Sequence, residues 1–263
     1  MTSPAADKPS FFTNADAYQQ FMGRYSDQLA PELAGAVEIA AGQRVLDVGC
    51  GAGALTAVLA DIVGAENVAG ADPSEPFVQA ARARVPGADL RVGPAESLPF
   101  EDGVFDAALA QLVFHFVADP PRAAAEMKRV TREGGRVATC SWDSTGGMTM
   151  LHAYWAAVRS VDPAAPDDEA LRFGTHPGEL AALWRETGFR DVVDDSITVS
   201  ARYDSFDELW HAYLGGVGPI GVHAQSLDAA TRDKVAAALH ERVGSPDGPF
   251  ELTARAWYTA GTV

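Results

Sequence analysis

Two carboxylates and a run of alternating glycines carry the most chemistry in this 263-residue sequence. The first carboxylate, Asp47, stands in "RVLDVGCGAGALT", two residues before Gly49, with Gly51 and Gly53 at the next alternate positions. The second, Asp72, closes the short apolar stretch "VAGAD". Val45 to Val48 is an apolar run stopped by glycine and reads as a buried strand; Ala54 to Val63 reads as the helix that follows it. Glycines at such a junction let a ligand approach the backbone closely. In open α/β sheets ligands bind beyond the carboxyl ends of the strands. Gly49, Gly51 and Ala54 also satisfy the loose dinucleotide pattern G-x-G-x-x-G/A, so the glycines alone leave NAD(P) open as the ligand. Asp72 fits that ligand and others, because a carboxylate there accepts hydrogen bonds from both hydroxyls of an adenosine ribose. Asp47 discriminates. It would repel a pyrophosphate and attract a ligand carrying an ammonium and a sulfonium. Burying it alone would cost on the order of several kcal/mol, so a cationic ligand, backbone N–H groups or an ordered water must lie beside it.

His115, in "LVFHFVADP", is the candidate base. Histidine titrates in the useful range; the plainer reading is a pocket-lining side chain. His152, His176, His211, His223 and His240 form no i, i+4 pair and have no cysteine or aspartate cluster beside them, so no metal site is expected. A serine hydrolase is excluded because no G-x-S-x-G elbow follows a strand. An NAD(P)-dependent oxidoreductase lacks a Tyr-x-x-x-Lys pair. Trp142 and Asp143 sit past the fifth expected strand. With Trp155, Phe173, Trp210 and Tyr213 they supply aromatics, either to an apolar acceptor pocket or to the packing of helices.

These residues need elements to hold them. Further strands are expected at 68–71, 90–92, 104–112 and 136–141, with helices at 75–85 and 120–131 between them. That alternation implies a Rossmann-like, doubly wound α/β sheet, mostly parallel. Beyond Trp142 the pattern changes. Helices are expected near 150–161, 177–187, 206–214 and 226–243, and strands at 192–203 and 250–259, the last antiparallel. "GGVGPIG" reads as a separator between helices, and Pro31 as the start of a second segment within a helical stretch from Tyr18 to Ala41. The organisation expected is an N-terminal tail and lid over 1–41, then one domain over 42–263. Cap insertions at about 142–176 and 204–248 are expected over the ligand edge of the sheet. "DPAAPDDEALRFG" reads as a surface loop, and the first ten or so residues as a disordered tail.

Bulk composition narrows the partners. Lys and Arg number 20 against 36 Asp and Glu, a formal charge of −16. No basic stripe exists to displace counterions from a nucleic acid. The two cysteines form no disulfide framework, which points to a reducing cytoplasm. The first ten residues lack the apolar centre of a signal peptide. No apolar run reaches the ~18 residues of a membrane span.

Four stretches taken together carry a resemblance: "VLDVGCGAG", "VAGADPSE", "GPAESLPFEDGVFDAALAQLVFHFVADP" and "EMKRVTREGGRVATCSW". Their order and spacing over about 44–142 resemble the class I S-adenosylmethionine-dependent methyltransferases. The nearest flavour is the type 11 group that includes ubiquinone and menaquinone biosynthesis methyltransferases. "AYQQFMGRYS" and "LTARAWYTAGTV" resemble a branch of the same group. The resemblance implies S-adenosylmethionine as cofactor, S-adenosylhomocysteine as product and a small organic acceptor methylated at oxygen, nitrogen or carbon. It implies that Gly49, Cys50 and Gly51 pass along the methionine moiety, with Asp47 toward its ammonium. Asp72 would hold the ribose, Pro73 and Phe77 would border the adenine, and Ala95 would offer a backbone group to the adenine edge beside Glu96. Gln111 would lie near the methionine part. Tyr18 and Arg24 are lid candidates, Arg24 for the cofactor carboxylate. His115 and Trp142 would face the acceptor. Because a fold does not fix a function, a protein of this fold that binds the cofactor without methylating is the main alternative.

Overall fold

Val45–Val48 and Val68–Asp72 are buried at every position, including the two carboxylates. Strands covered on both faces need apolar residues without alternation, which is why these runs are continuous. They form β1 (Val45–Val48) and β2 (Val68–Asp72) of a sheet seen in a computed structural model that describes residues 18–165 and 172–263. The expected disordered tail, and residues 166–171 of the acidic surface loop, lie outside the described residues. The other strands are β3 (Asp89–Val92), β4 (Phe105–Gln111), β5 (Thr131–Trp142), β6 (Arg190–Tyr203) and β7 (Phe250–Thr262). The order across the sheet is β3-β2-β1-β4-β5-β7-β6. The first five strands pair in parallel, and β7 runs antiparallel to both β5 and β6. β1 pairs β2 on one side and β4 on the other, with Asp47 opposite Gly70 and Leu109. The strand order reverses there, which opens a crevice at the carboxyl ends.

Helices cover both faces: α1 (Arg24–Ala36), α2 (Ala54–Val63), α3 (Glu75–Arg84), α4 (Pro120–Val130), α5 (Thr149–Val161), α6 (Glu179–Thr187), α7 (Phe206–Leu214), α8 (Gly218–Ser226) and α9 (Ala229–Arg242). One core joins Leu29 and Leu33 of α1 and Leu59 of α2 to Tyr154, Tyr203 and Tyr213. The other, across the sheet, joins Leu46, Phe105, Phe114, Met127 and Trp184. The stretches after β5 and after β6 meet, with the Tyr154 and Tyr213 rings 4.9 Å apart.

Three local expectations are corrected. Pro31 starts no new segment; it lies inside α1, which a π-helical turn at Gln19–Gly23 precedes. In that interior position proline removes one i→i−4 hydrogen bond, a cost of about 3 kcal/mol that the helix bears. "GGVGPIG" is not a separator, because α8 begins within it. Pro219 sits in the first turn of that helix, where a fixed φ and an absent N–H suit a helix start. Gly221 is required inside α8 because a Cβ would overlap the backbone of Gly216. The expected helix over 226–243 therefore begins at Ala229, capped by Asp228, which accepts from the Thr231 N–H at 2.9 Å. Finally, β5 starts at Thr131, not 136. The ladder pairs Phe105 with Thr131 and resumes at Ala107 with Arg136, so "EGG" bulges within the strand.

Candidate active site

Asp47 is 1% exposed at the end of β1. Its partner is the Thr56 hydroxyl, which donates to Oδ2 at 2.6 Å from the first turn of α2. Burial pushes the Asp47 carboxyl up to about 7; nearby Asp72 adds to the rise and the Thr56 hydrogen bonds oppose it. Asp72 ties the end of β2 to the glycine loop. Its Oδ2 accepts the Gly51 N–H at 3.0 Å and its Oδ1 accepts the Ser74 N–H at 2.8 Å. Burial raises its pKa as well, against those two backbone bonds.

The glycine loop is fixed from below and open above. Gly49 and Cys50 donate backbone N–H groups to the Ala71 carbonyl at 2.7 and 3.1 Å. Gly49 has φ +71°, and a Cβ there would overlap Val113. Gly51 has φ +52°, and a Cβ there would meet nothing within 4 Å. That empty direction belongs to a cavity of about 500 Å³. Asp47, Gly49, Cys50 and Gly51 line one wall of it, and Asp72, Pro73 and Phe77 a second. Ala95 and Glu96 line it from beyond β3, Gln111 from the end of β4 on the other side of β1, and Tyr18 lines it from the N-terminal segment. Thus eleven of the twelve residues assigned to the cofactor from sequence share one cavity. Arg24 is the exception. It lies over the Tyr203 ring at 4.3 Å, pairs with Glu208 at 2.8 Å and donates to the Arg202 carbonyl at 2.9 Å. Six helical residues turn the side-chain direction by about 240°, so Tyr18 and Arg24 face different neighbours.

The cavity's chemistry suits a cation with N–H donors beside an adenosine. Gln111 donates to the Ser26 carbonyl at 3.0 Å, and its buried Oε1 has no partner. That acceptor and the Asp47 carboxyl both want a donor. Burial pushes the Cys50 thiol up, so it is an inert wall rather than a nucleophile. The Tyr18 hydroxyl is pushed up to about 12 by burial, and its ring lies 6.4 Å from that of Phe77.

A second cavity, of about 100 Å³, adjoins the first, and Tyr18, Leu112 and Phe116 line both. His115 and Trp142 line the smaller one, with Met148 and Leu151 from the start of α5 and Ile220 from α8. His115 sits on a single 3₁₀ turn, Phe114–Phe116, after β4. Its Nδ1 is buried without a partner. Desolvation, and then the charge of Arg172, push its pKa down to about 3. Leu112 holds φ +61° at the boundary between the cavities, a conformation that costs a bulky residue strain.

Sequence reasoning missed Thr56, Leu112, Phe116 and Arg172. Thr56 had a signal, a hydroxyl in the first turn of the helix after the glycines. Leu112 and Phe116 had none, since apolar residues after a strand read as core.

The family described as "Methyltransferase domain" matches residues 46–139, from β1 into β5. The "Uncharacterized 37.1 kDa protein in transposon TN4556" of Streptomyces fradiae is 35% identical over 181 residues, 63% of this chain and 51% of that protein. The chain thus spans about half the length of that relative. "Uncharacterized protein Rv1403c" of Mycobacterium tuberculosis is 37% identical over 201 residues, 73% of this chain and 70% of that protein. The demethylmenaquinone methyltransferase of Clavibacter sepedonicus is 28% identical over 212 residues, 74% of this chain and 82% of that enzyme. Among solved structures, the YcgJ protein of Bacillus subtilis superposes with a TM-score of 0.55 at 20% identity, covering 90% of this chain and 97% of that one. At that identity the likeness is one of fold.

Proposed function

This chain belongs to the class I S-adenosylmethionine-dependent methyltransferases, and we propose that it methylates a small organic acceptor seated beside His115 and Trp142. The observation that carries the reading is the meeting of two cavities at Tyr18, Leu112 and Phe116. One has the chemistry of the cofactor and the other is apolar. The cofactor supplies a methyl group activated by its sulfonium, open to in-line displacement. The protein's part is to align the two reactants and exclude water, which accounts for much of the barrier lowering in such a transfer.

In this reading Asp47 and the free Gln111 Oε1 face the methionine ammonium. Asp72 accepts from the ribose hydroxyls with the lone pairs its backbone bonds leave unused. Pro73 and Phe77 border the adenine, and Ala95 and Glu96 its edge. Tyr18 closes the cavity where the methyl leaves. The Arg24 role in holding the cofactor carboxylate is not retained, because its guanidinium is engaged by Glu208. His115 is neutral at working pH and a weak base, since an effective base has a pKa near the pH at which it works. Its role is to accept a hydrogen bond at Nδ1 and orient the acceptor. The charge of −16 disfavours a nucleic-acid acceptor. Among the described residues no helix is long and apolar enough to cross a membrane. A cytoplasmic setting is part of the proposal.

Calorimetry with S-adenosylmethionine, followed by a screen for S-adenosylhomocysteine release over small acceptors, tests the reading. Absence of cofactor binding overturns it. Binding with no release over a broad acceptor set favours a protein of this fold that holds the cofactor without methylating.

A further inference from the structure

The smaller cavity is lined mostly by apolar side chains, with Asp143, His115 and Arg172 among its few polar groups. Asp143 is the one lining carboxylate among the described residues and is fully buried. That charge is already answered: Arg255 donates to Oδ2 through Nε at 2.8 Å, and Thr145 donates to Oδ1 through its N–H at 2.7 Å. His115 is neutral, with its buried Nδ1 unpartnered. Among the described residues the other lining charge is Arg172, half-buried. Its guanidinium lies over the exposed Phe116 ring, 5.3 Å from the centroid. Stacking uses the face of a guanidinium and leaves its N–H edges available for a planar acid. No carboxylate or carbonyl among the described residues takes them. Among the described residues the cavity thus offers a positive charge without a paired acid, beside apolar walls, where a partly desolvated ion is costly without a counter-ion.

Resting on the methyltransferase reading above, we infer that the acceptor is a compact apolar molecule bearing one acidic group, a carboxylic acid or acidic phenol, and that Arg172 holds that group. Size agrees with charge. A cavity of about 100 Å³ is of the order that seats a single ring. Arg172 is a specificity-determining residue: it binds the acid and so aims the rest of the molecule past His115 toward the wall shared with the cofactor cavity.

The test uses the full chain saturated with S-adenosylhomocysteine, and benzoate and 2-naphthoate against their neutral amides, with affinities read by ligand-observed NMR at millimolar concentrations. The acid of at least one pair is expected to bind about tenfold or more tightly than its amide. Arg172→Gln removes that preference while leaving the amide within about twofold, and Arg172→Lys restores part of it. The affinity for S-adenosylhomocysteine, unchanged in Arg172→Gln, shows that the variant is folded; if it is not, the acid-to-amide ratio of the unaltered protein decides alone. Equal binding of acid and amide, a preference that survives Arg172→Gln, or no binding by either acid overturns the inference while the methyltransferase reading stands. Failure of S-adenosylhomocysteine to bind overturns that reading, and this inference with it.

Discussion

Asp47 is the residue whose protonation ties binding to pH. With its carboxyl raised to about 7 by burial, it is neutral in acid and ionised above. A cationic cofactor favours the ionised form. Affinity for S-adenosylmethionine should therefore climb with pH up to about 7 and level off beyond, falling by up to about tenfold per unit on the acid side. Calorimetry from pH 5.5 to 8.5 reads this, and Asp47→Asn should flatten the curve; a flat curve in the unaltered protein would sink the argument. The same shift has the opposite sign for the empty protein. The folded state keeps a proton that the unfolded chain releases near pH 4, so this group alone costs stability as pH rises toward 7. His115 gives a second expectation. As an orienting group it should cost less than about 100-fold in kcat when changed to alanine, with the shape of the pH profile unmoved. A general base would lose about 10²–10⁴-fold together with a titration step. At this scale the sequence grouped Asp47, Gly49 and Gly51 because they stand at one strand–helix junction, and all three line the larger cavity. It misled at Arg24, whose partner Glu208 lies 184 positions away and leaves no local trace.

The glycine loop shows how an element can be needed for two separable reasons. Alanine at 49 meets both a left-handed φ of +71° and the Val113 side chain. The first costs about 1–2 kcal/mol and the second about 1–3 kcal/mol of overpacking. At roughly 2–4 °C per kcal/mol for a chain of this size, thermal unfolding of Gly49→Ala should fall by about 5–15 °C. Val113→Ala in the same chain should return the steric part, since touching residues couple. Gly51→Ala should behave differently. Its Cβ has space, so stability falls by little more than the cost of its φ, while cofactor affinity falls steeply because the methyl occupies the cavity. Comparing melting with binding in the two variants separates turn geometry from ligand approach; parallel losses in both would refute the distinction. β1, β2 and β4 were legible because largely buried strands are continuous apolar runs closed by glycines or turns; the start of β5, exposed over 132–134, was not. The cap was less legible too. α8 begins inside "GGVGPIG", and what permits it is the approach of Gly216 to Gly221, a contact no periodicity announces.

At the scale of the molecule, Arg24 and Tyr25 join the N-terminal segment to β6 and α7. The turn at Gln19–Gly23 hangs from Tyr18, which lines both cavities. Behind it, Arg24 pairs with Glu208 of α7, and the Tyr25 hydroxyl meets that of Tyr203 on β6 at 3.0 Å. Filling the larger cavity should therefore steady more than the loop that touches the ligand. At a hundredfold excess over Kd, a ligand specific for the folded state adds about 2.7 kcal/mol, on the order of 5–11 °C in a chain of this size. Local opening reports where that stability goes. Hydrogen exchange with S-adenosylhomocysteine should slow at 49–56, at 19–36 and onward at 206–214. The outer edge of the sheet, at 190–198, should not change. Glu208→Gln keeps the side chain's shape while removing its charge. It should leave the protection at 49–56 intact and weaken that at 206–214, because the charged link from lid to cap is gone. Protection confined to 49–56 in the unaltered protein would mean that cofactor and cap are independent. The acceptor cavity would then take its shape without regard to the cofactor beside it.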